Sequence, residues 1–320
     1  MLKWIKFDVA IKKLKDLNAK RIGIQLPNGL KHLSNDISTY FEEKGYEVII
    51  SGSGCYGACD IDLDLLKEVD ALLHFVHTPI FEFKNVIYVP YVVDYDVNDI
   101  RKIINIKGRS IALIASTQYA WKLNEVKKVL EEMGYKVELK KGSKRIKLPG
   151  QVLGCDYSVL KDSKAEAILF IGDGMFHPIG AALYSRKKVY MYSPLEKKFE
   201  EVKVDNFLKK RMIIVSKAMN GEKGAILVSK KVGQKRLKLA LKLKKKAKEM
   251  GKHVDILYLD DITPEKLSNF LYDYYVNTAC PRISYDDVDI FDTPILTPQE
   301  FEILIGSRNW DEYEIDLFFD

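Results

Sequence analysis

The apolar positions of this chain repeat one pattern three times. A short run, RIGIQL (21–26), precedes a stretch whose apolar residues recur at helical spacing: Leu30, Leu33, Ile37 and Tyr40. That stretch ends in EEKGYEV, with Gly45 placed as a helix-terminating residue, and the run EVIIS follows. The pattern returns at SIALIAS (110–116), with the stripe Leu123, Val126, Leu130 and Met133 ending around Gly134. It returns again at GAILVS (224–229), with the stripe Leu239, Leu243, Ala247 and Met250 ending at Gly251 before VDILYL. Strand, helix, glycine, strand is a βαβ unit, and its two strands run parallel. Later apolar runs extend each sheet: ALLHFV (71–76) and NVIYVPYVV (85–93), AILFIG (167–172) and VYMYS (189–193), and YYVNTA (274–279). The expected fold is α/β, with three similar βαβ-type domains and parallel sheets around a pseudo-threefold axis. The expected domains are 1–105, 106–205 and 206–320, each of ordinary size and with no Gly/Ser linker between them.

Composition narrows the class. The chain has 320 residues, 47% apolar and 30% charged, as in an ordinary soluble globular protein. The basic N-terminus MLKWIKFDVAIKKL lacks the apolar core and cleavage site of a signal peptide. No apolar run reaches the ~20 residues that a membrane helix needs. A cytoplasmic protein that does not engage a membrane is expected, in a compartment where cysteines stay reduced. The net charge of +6 is mild, and much of it lies in KRLKLALKLKKKAKEM, where the lysines avoid the apolar stripe. No aromatic residues interleave with them, so a solvated surface helix is the reading, and direct nucleic-acid binding is not expected.

The chemistry lies in the cysteines. Cys55 and Cys59 fall in GSGCYGACDIDL (52–63), Cys155 in GQVLGCD, and Cys280 in NTACPRISYDD. Four cysteines in a reducing compartment point to metal binding or catalysis over disulfides. Each repeat contributes at least one, just beyond a strand, where α/β sheets place ligands. The third copy is imperfect, because its cysteine follows a later strand. Structural zinc favours four ligands, usually taken as close pairs from one or two turns. Three thiolates from three domains suit a 4Fe-4S cluster with one iron left open, whereas electron-transfer clusters normally carry four cysteines. The alternative for Cys155 and Cys280 is burial as small hydrophobic side chains.

At this point the residues resemble a family. In order along the chain stand IQLPNGL (24–30), YGACD (56–60), TQYAWKL (117–123), GQVLGCD (150–156), GDGMFH (172–177), VGQKR (232–236), TACPRISYDD (278–287) and PILTPQE (294–300). This ordered set resembles the diphthamide-synthesis family, the archaeal 2-(3-amino-3-carboxypropyl)histidine synthases, over nearly the whole length. The resemblance implies a 4Fe-4S cluster held by Cys59, Cys155 and Cys280, with an open iron that engages S-adenosylmethionine. It implies a 3-amino-3-carboxypropyl radical that adds to the imidazole C2 of one histidine on translation elongation factor 2, with methylthioadenosine as coproduct. It also implies an external electron donor and a homodimer. The position matching Cys55 is not cysteine in eukaryotic relatives, which leaves Cys55 a bystander. A conventional CxxxCxxC loop is incomplete here, because Asp62 stands three past Cys59.

Other marked residues are candidates for holding S-adenosylmethionine. Gly172 and Gly174 allow close backbone approach, Asp173 can accept from a ribose hydroxyl or an ammonium, and His177 can donate. Gly233 is expected to open the basic helix and offer backbone N–H groups to a carboxylate, assisted by Gln234 and Arg236. Arg282 suits a carboxylate, with an ion pair to Asp286 or Asp287 as the plainer reading. No catalytic side chain beyond the cluster ligands is expected, since the cofactor carries the hard chemistry. Two other readings compete. One is a 4Fe-4S dehydratase of the quinolinate-synthase type, which shares the three-domain, three-cysteine plan. The other is a non-catalytic binding protein with zinc or bare thiols.

Overall fold

In the computed structural model, which describes residues 2–318, the described residues contain thirteen strands in three sheets. The strands are β1 (Arg21–Gln25), β2 (Glu47–Ile50), β3 (Ala71–Val76), β4 (Val86–Pro90), β5 (Ser110–Ala115), β6 (Lys136–Glu138), β7 (Ala167–Ile171), β8 (Lys188–Ser193), β9 (Lys198–Glu201), β10 (Gly224–Ser229), β11 (Val254–Leu259), β12 (Tyr274–Asn277) and β13 (Ile295–Leu296). The sheet orders are β2-β1-β3-β4, β6-β5-β7-β8-β9 and β11-β10-β12-β13. Each repeat therefore has the same order, with β9 added at the edge of the middle sheet. The first strand of each repeat is parallel to the second and the third: β1 to β2 and β3, β5 to β6 and β7, β10 to β11 and β12. The fold is α/β with three mostly parallel sheets. The order reverses beside each repeat's first strand, which makes the carboxyl ends there natural binding positions.

The repeated helix ends have one physical form. Gly45, Gly134 and Gly251 have φ of 87°, 91° and 74°, which favours glycine. The next residue closes a six-residue hydrogen bond back into the helix: Tyr46 to Phe41, Tyr135 to Leu130, and Lys252 to Ala247, at 3.2, 3.1 and 2.8 Å. The stripes differ in detail. The first helical stretch divides into a 3-10 turn, Asn28–Leu33, and a helix, Ser34–Glu42, that buries Ile37 and Phe41. The lysine-rich helix spans Leu237–Glu249 and buries Ala240, Leu243 and Ala247, while Met250 is exposed beyond its end.

Internal contacts divide the chain into two compact units. One holds the chain through Val152 together with Ser158–Asp173 and Met191–Phe199. The other holds Leu153–Tyr157, Gly174–Tyr190 and the chain from Glu200 on. The second unit packs the helices Asp205–Met219, Leu237–Glu249 and Pro298–Leu304 on its sheet, through Val215, Leu243, Phe301 and Val276 among others. Beneath them lies a charged pair. Arg211 is 1% exposed and Glu300 0% exposed, and they meet through two bonds of 2.7 and 2.5 Å. Arg211 also donates to the Ser284 and Ile295 carbonyls at 2.5 and 2.9 Å. Glu300 accepts from Tyr313 at 3.1 Å and completes a capping box with Thr297. This fully bonded pair fixes the segment that follows Cys280. No helix among the described residues is long and apolar enough to cross a membrane.

Candidate functional site

Cys59 lies in the connection from β2 to β3, where residues 51–63 have no helix or strand. Polar contacts hold this loop instead. Gln25, fully buried at the end of β1, donates to the Asp60 carbonyl at 2.8 Å and accepts from the Asp62 N–H at 3.2 Å. Asp62 accepts from Ser51 Oγ at 2.6 Å and from the Leu65 N–H at 3.0 Å. Burial opposes its charge, but these hydrogen bonds prevail and lower its pKa. Asp62 thus caps the turn that follows, at the position where a conventional cluster loop has its third cysteine. Cys59 is partly buried beside Tyr88, whose hydroxyl is raised to about 12 by burial first and by the Cys59 thiol second.

Cys55 is only 4% exposed. Its Sγ and one ring nitrogen from each of His74 and His77 lie within 4.8 Å of one another. Sequence reading missed this cluster. His74 sits on β3 in register with Gln25, and its Nδ1 meets Gln25 Oε1 at 2.9 Å. Its Nε2 meets His77 Nδ1 at 3.1 Å. Burial first and His77 second hold His74 well below the ordinary histidine range, so its ring is neutral.

Cys155 and Cys280 both belong to the second unit. Cys155 lies in a tight turn in which Leu153 and Asp156 exchange backbone bonds of 3.1 and 2.9 Å. Glycine is required at 154 by close approach, since a Cβ there would stand 2.0 Å from the Phe176 ring. Cys280 follows β12 and caps the short helix Pro281–Tyr285, with Pro281 at its first position. Asn277 Nδ2 donates to the Cys280 carbonyl at 2.8 Å, and Thr278 Oγ1 to the Leu227 carbonyl at 2.7 Å. Arg236 donates to the Thr278 and Ala279 carbonyls at 2.7 and 3.3 Å, and it pairs with both carboxylate oxygens of Asp316. Its guanidinium lies 3.9 Å above the Phe318 ring centroid. The Phe318 N–H donates to the Cys155 carbonyl at 2.8 Å. The tail 316–318 therefore ties the Cys155 turn to the segment carrying Cys280. No disulfide joins any of the four cysteines.

The remaining sequence candidates divide between the units. In the first, Asp173 accepts from the Tyr119 hydroxyl and from Ser193 Oγ at 2.6 Å. Gly172, at φ 150°, has no room for a side chain, with Ser116 Oγ 2.9 Å from an added Cβ. In the second, Gly174 faces open space at φ 76°. His177 is partly buried and is lowered to about 4 by burial first and by Arg282 second. Arg282 is exposed and pairs with Asp286 at 3.0 Å. Gln234 is 2% exposed and lies in the turn 231–234. Gly233 does not open the basic helix, which starts at Leu237. Arg236 adopts φ −116° and ψ 51° where its side chain meets Thr278 and Asp316, and this non-helical residue delays the start.

Three comparisons bear on this arrangement. The family described as "Putative diphthamide synthesis protein" matches residues 26–314. The 2-(3-amino-3-carboxypropyl)histidine synthase of Pyrococcus horikoshii is 40% identical, over 96% of this chain and 91% of that protein. The Methanocaldococcus jannaschii protein of the same name is 29% identical, over 96% and 90%. The crystal structure of Dph2 from Pyrococcus horikoshii with a 4Fe-4S cluster superposes with a TM-score of 0.87 at 37% identity, covering 98% of this chain and 93% of that one.

Proposed function

The chain belongs to the diphthamide synthesis protein family, and from that premise we propose that it is a 2-(3-amino-3-carboxypropyl)histidine synthase acting in diphthamide formation. It is a transferase that moves the 3-amino-3-carboxypropyl group of S-adenosylmethionine to the imidazole C2 of a histidine on translation elongation factor 2. The observation that carries this reading is similarity along nearly the whole chain to proteins of that name.

Cys59, Cys155 and Cys280 are the proposed ligands of a 4Fe-4S cluster. The donor set fits that group: three partly buried thiols outside any disulfide, each held in a turn by neighbouring polar groups. Held by these three thiolates, a 4Fe-4S cluster would supply one-electron reduction of the sulfonium cofactor. The chain's own residues position its ligands. Gln25 and Asp62 hold the Cys59 loop, Phe176 packs over Gly154 beside Cys155, and Arg236 with Asp316 holds the Cys280 segment. Arg236 therefore acts through the Cys280 turn. Gly172, Asp173, Gly174, His177, Gln234 and Arg282 are the proposed contacts for S-adenosylmethionine, with Arg282 suited to its carboxylate. A cytoplasmic homodimer served by an external electron donor completes the proposal.

The test is an anaerobic reaction of reconstituted, reduced protein with S-adenosylmethionine and archaeal elongation factor 2. The expected products are methylthioadenosine and a histidine-containing peptide heavier by one aminocarboxypropyl group. A fully loaded protein that yields neither ends the proposal.

A further inference from the structure

The cluster of buried Cys55 and His74 with partly buried His77 has a backbone and a hydrogen-bond pattern that an ordinary strand does not produce. Residues three apart in a strand point to opposite faces and are separated by about 10 Å along it. Yet the ring nitrogens of His74 and His77 are 3.1 Å apart. Between them Val76 has φ 80°, a conformation that β-branched residues rarely adopt, and this turns the chain at the end of β3. Such strain persists only where the surroundings hold it, and it concentrates at functional sites.

The protonation pattern is fixed from outside. Gln25 Nε2 donates to the Asp60 carbonyl at 2.8 Å, so Gln25 Oε1 is the atom facing His74. His74 Nδ1 therefore carries the proton, and its Nε2 presents a lone pair toward His77. A histidine whose far nitrogen donates to an oriented oxygen is the arrangement that metal-ligating histidines show. Two nitrogens bound to one tetrahedral ion at ~2.0–2.1 Å stand about 3.3 Å apart, close to the observed separation. Small ring rotations replace the proton shared by the two rings with a cation. The thiol of Cys55 supplies the third donor within the same 4.8 Å group.

We propose that Cys55, His74 and His77 form a binding site for a divalent late first-row cation of the zinc or cobalt class, which pins the loop carrying Cys59 to the end of β3. One thiolate and two imidazoles suit such ions, and the three-ligand set keeps a fourth position open. Binding releases one proton, that of the Cys55 thiol. The proton between the two rings is not lost, because His77 carries it at Nε2 after changing tautomer. The site does not depend on the cluster assignment, because it uses none of Cys59, Cys155 and Cys280.

The test uses the full chain with Cys59, Cys155 and Cys280 all changed to serine, so that those thiols do not compete. Cobalt(II) is added anaerobically to chelator-treated protein. The expected result is one tightly bound equivalent, with tetrahedral d–d bands and a thiolate-to-cobalt charge-transfer band, displaced by zinc. Adding Cys55→Ser abolishes the charge-transfer band, and adding His77→Ala weakens binding by more than about tenfold. Zinc raises the midpoint of thermal unfolding of the Cys55-containing protein and not of its Cys55→Ser counterpart. A charge-transfer band that survives Cys55→Ser, or no stoichiometric binding, overturns the proposal. If the triple variant does not fold, the same titration of the unmodified chain against the single Cys55→Ser variant decides. A difference of one equivalent supports the site, and equal uptake overturns it. Iron and sulfide content of reconstituted protein reads the cluster separately, so the two failures are distinguishable.

Discussion

Arg236 and Asp316 stand 80 residues apart, and their side chains meet in a two-pronged ion pair behind Cys280. Asp316 is 1% exposed, and Arg236 bonds two carbonyls of the segment leading into that cysteine. The pair is thus a clamp on the position of a thiol and has structural consequences of its own.

Breaking this clamp is expected to loosen the Cys280 turn. Removal of one partner from a buried ion pair costs ~3–5 kcal/mol, so Asp316→Ala lowers stability by about that amount. Iron retained after anaerobic reconstitution falls with it. Arg236→Lys restores little, because an ammonium cannot reproduce the fork of the guanidinium. Urea unfolding and iron content of the purified variants check both statements. Unchanged values in Asp316→Ala would contradict the clamp.

Arg211 and Glu300 make a second prediction. Glu300→Ala leaves a buried guanidinium without its partner and is expected to cost ~3–5 kcal/mol in urea unfolding. The double variant Arg211→Met with Glu300→Leu recovers only part of that loss. The Ser284 and Ile295 carbonyls, the Thr297 N–H and the Tyr313 hydroxyl each lose a bond in it. Full recovery would show that these secondary bonds contribute nothing.

The sequence made the repeats readable and left their linkage hidden. Strands such as RIGIQL and GAILVS and the glycines at 45, 134 and 251 are local signals, and the structure places strands and helix ends there. The helix Asp205–Met219 was not legible, because its buried face carries Arg211 where an apolar residue would reveal the stripe. Strand β13 is two residues long, too short for any periodicity. The tail 316–318 gave no sign of its role, since its bonds to Tyr285, Arg236 and Cys155 span 31 residues or more. The pair His74 and His77 was passed over because strand alternation separates such residues, and only the turned backbone at Val76 brings them together. Repeat position marks all four cysteines, and the choice of Cys59 over Cys55 rests on the family resemblance alone. The shared role of Cys59, Cys155 and Cys280 as ligands stays a proposal.

His177 sets a pH dependence. Its pKa is near 4 in the folded protein and near 6.5 when unfolded. Between those values the unfolded chain binds more protons, so stability falls as pH drops from 6.5 toward 4 and then levels off. Partial exposure limits the effect to about 1–2 kcal/mol. His177→Gln is expected to flatten this part of the curve of unfolding midpoint against pH. Parallel curves for the two proteins would show that another group is responsible.

The most direct test counts iron and sulfide per chain in the four single cysteine-to-alanine variants after identical anaerobic reconstitution. Cys59→Ala, Cys155→Ala and Cys280→Ala are expected to lose most of the iron and sulfide that the parent retains, while Cys55→Ala keeps it. Full iron and sulfide in any of the first three, or equal loss in all four, would contradict the assignment of one cluster to those three thiols.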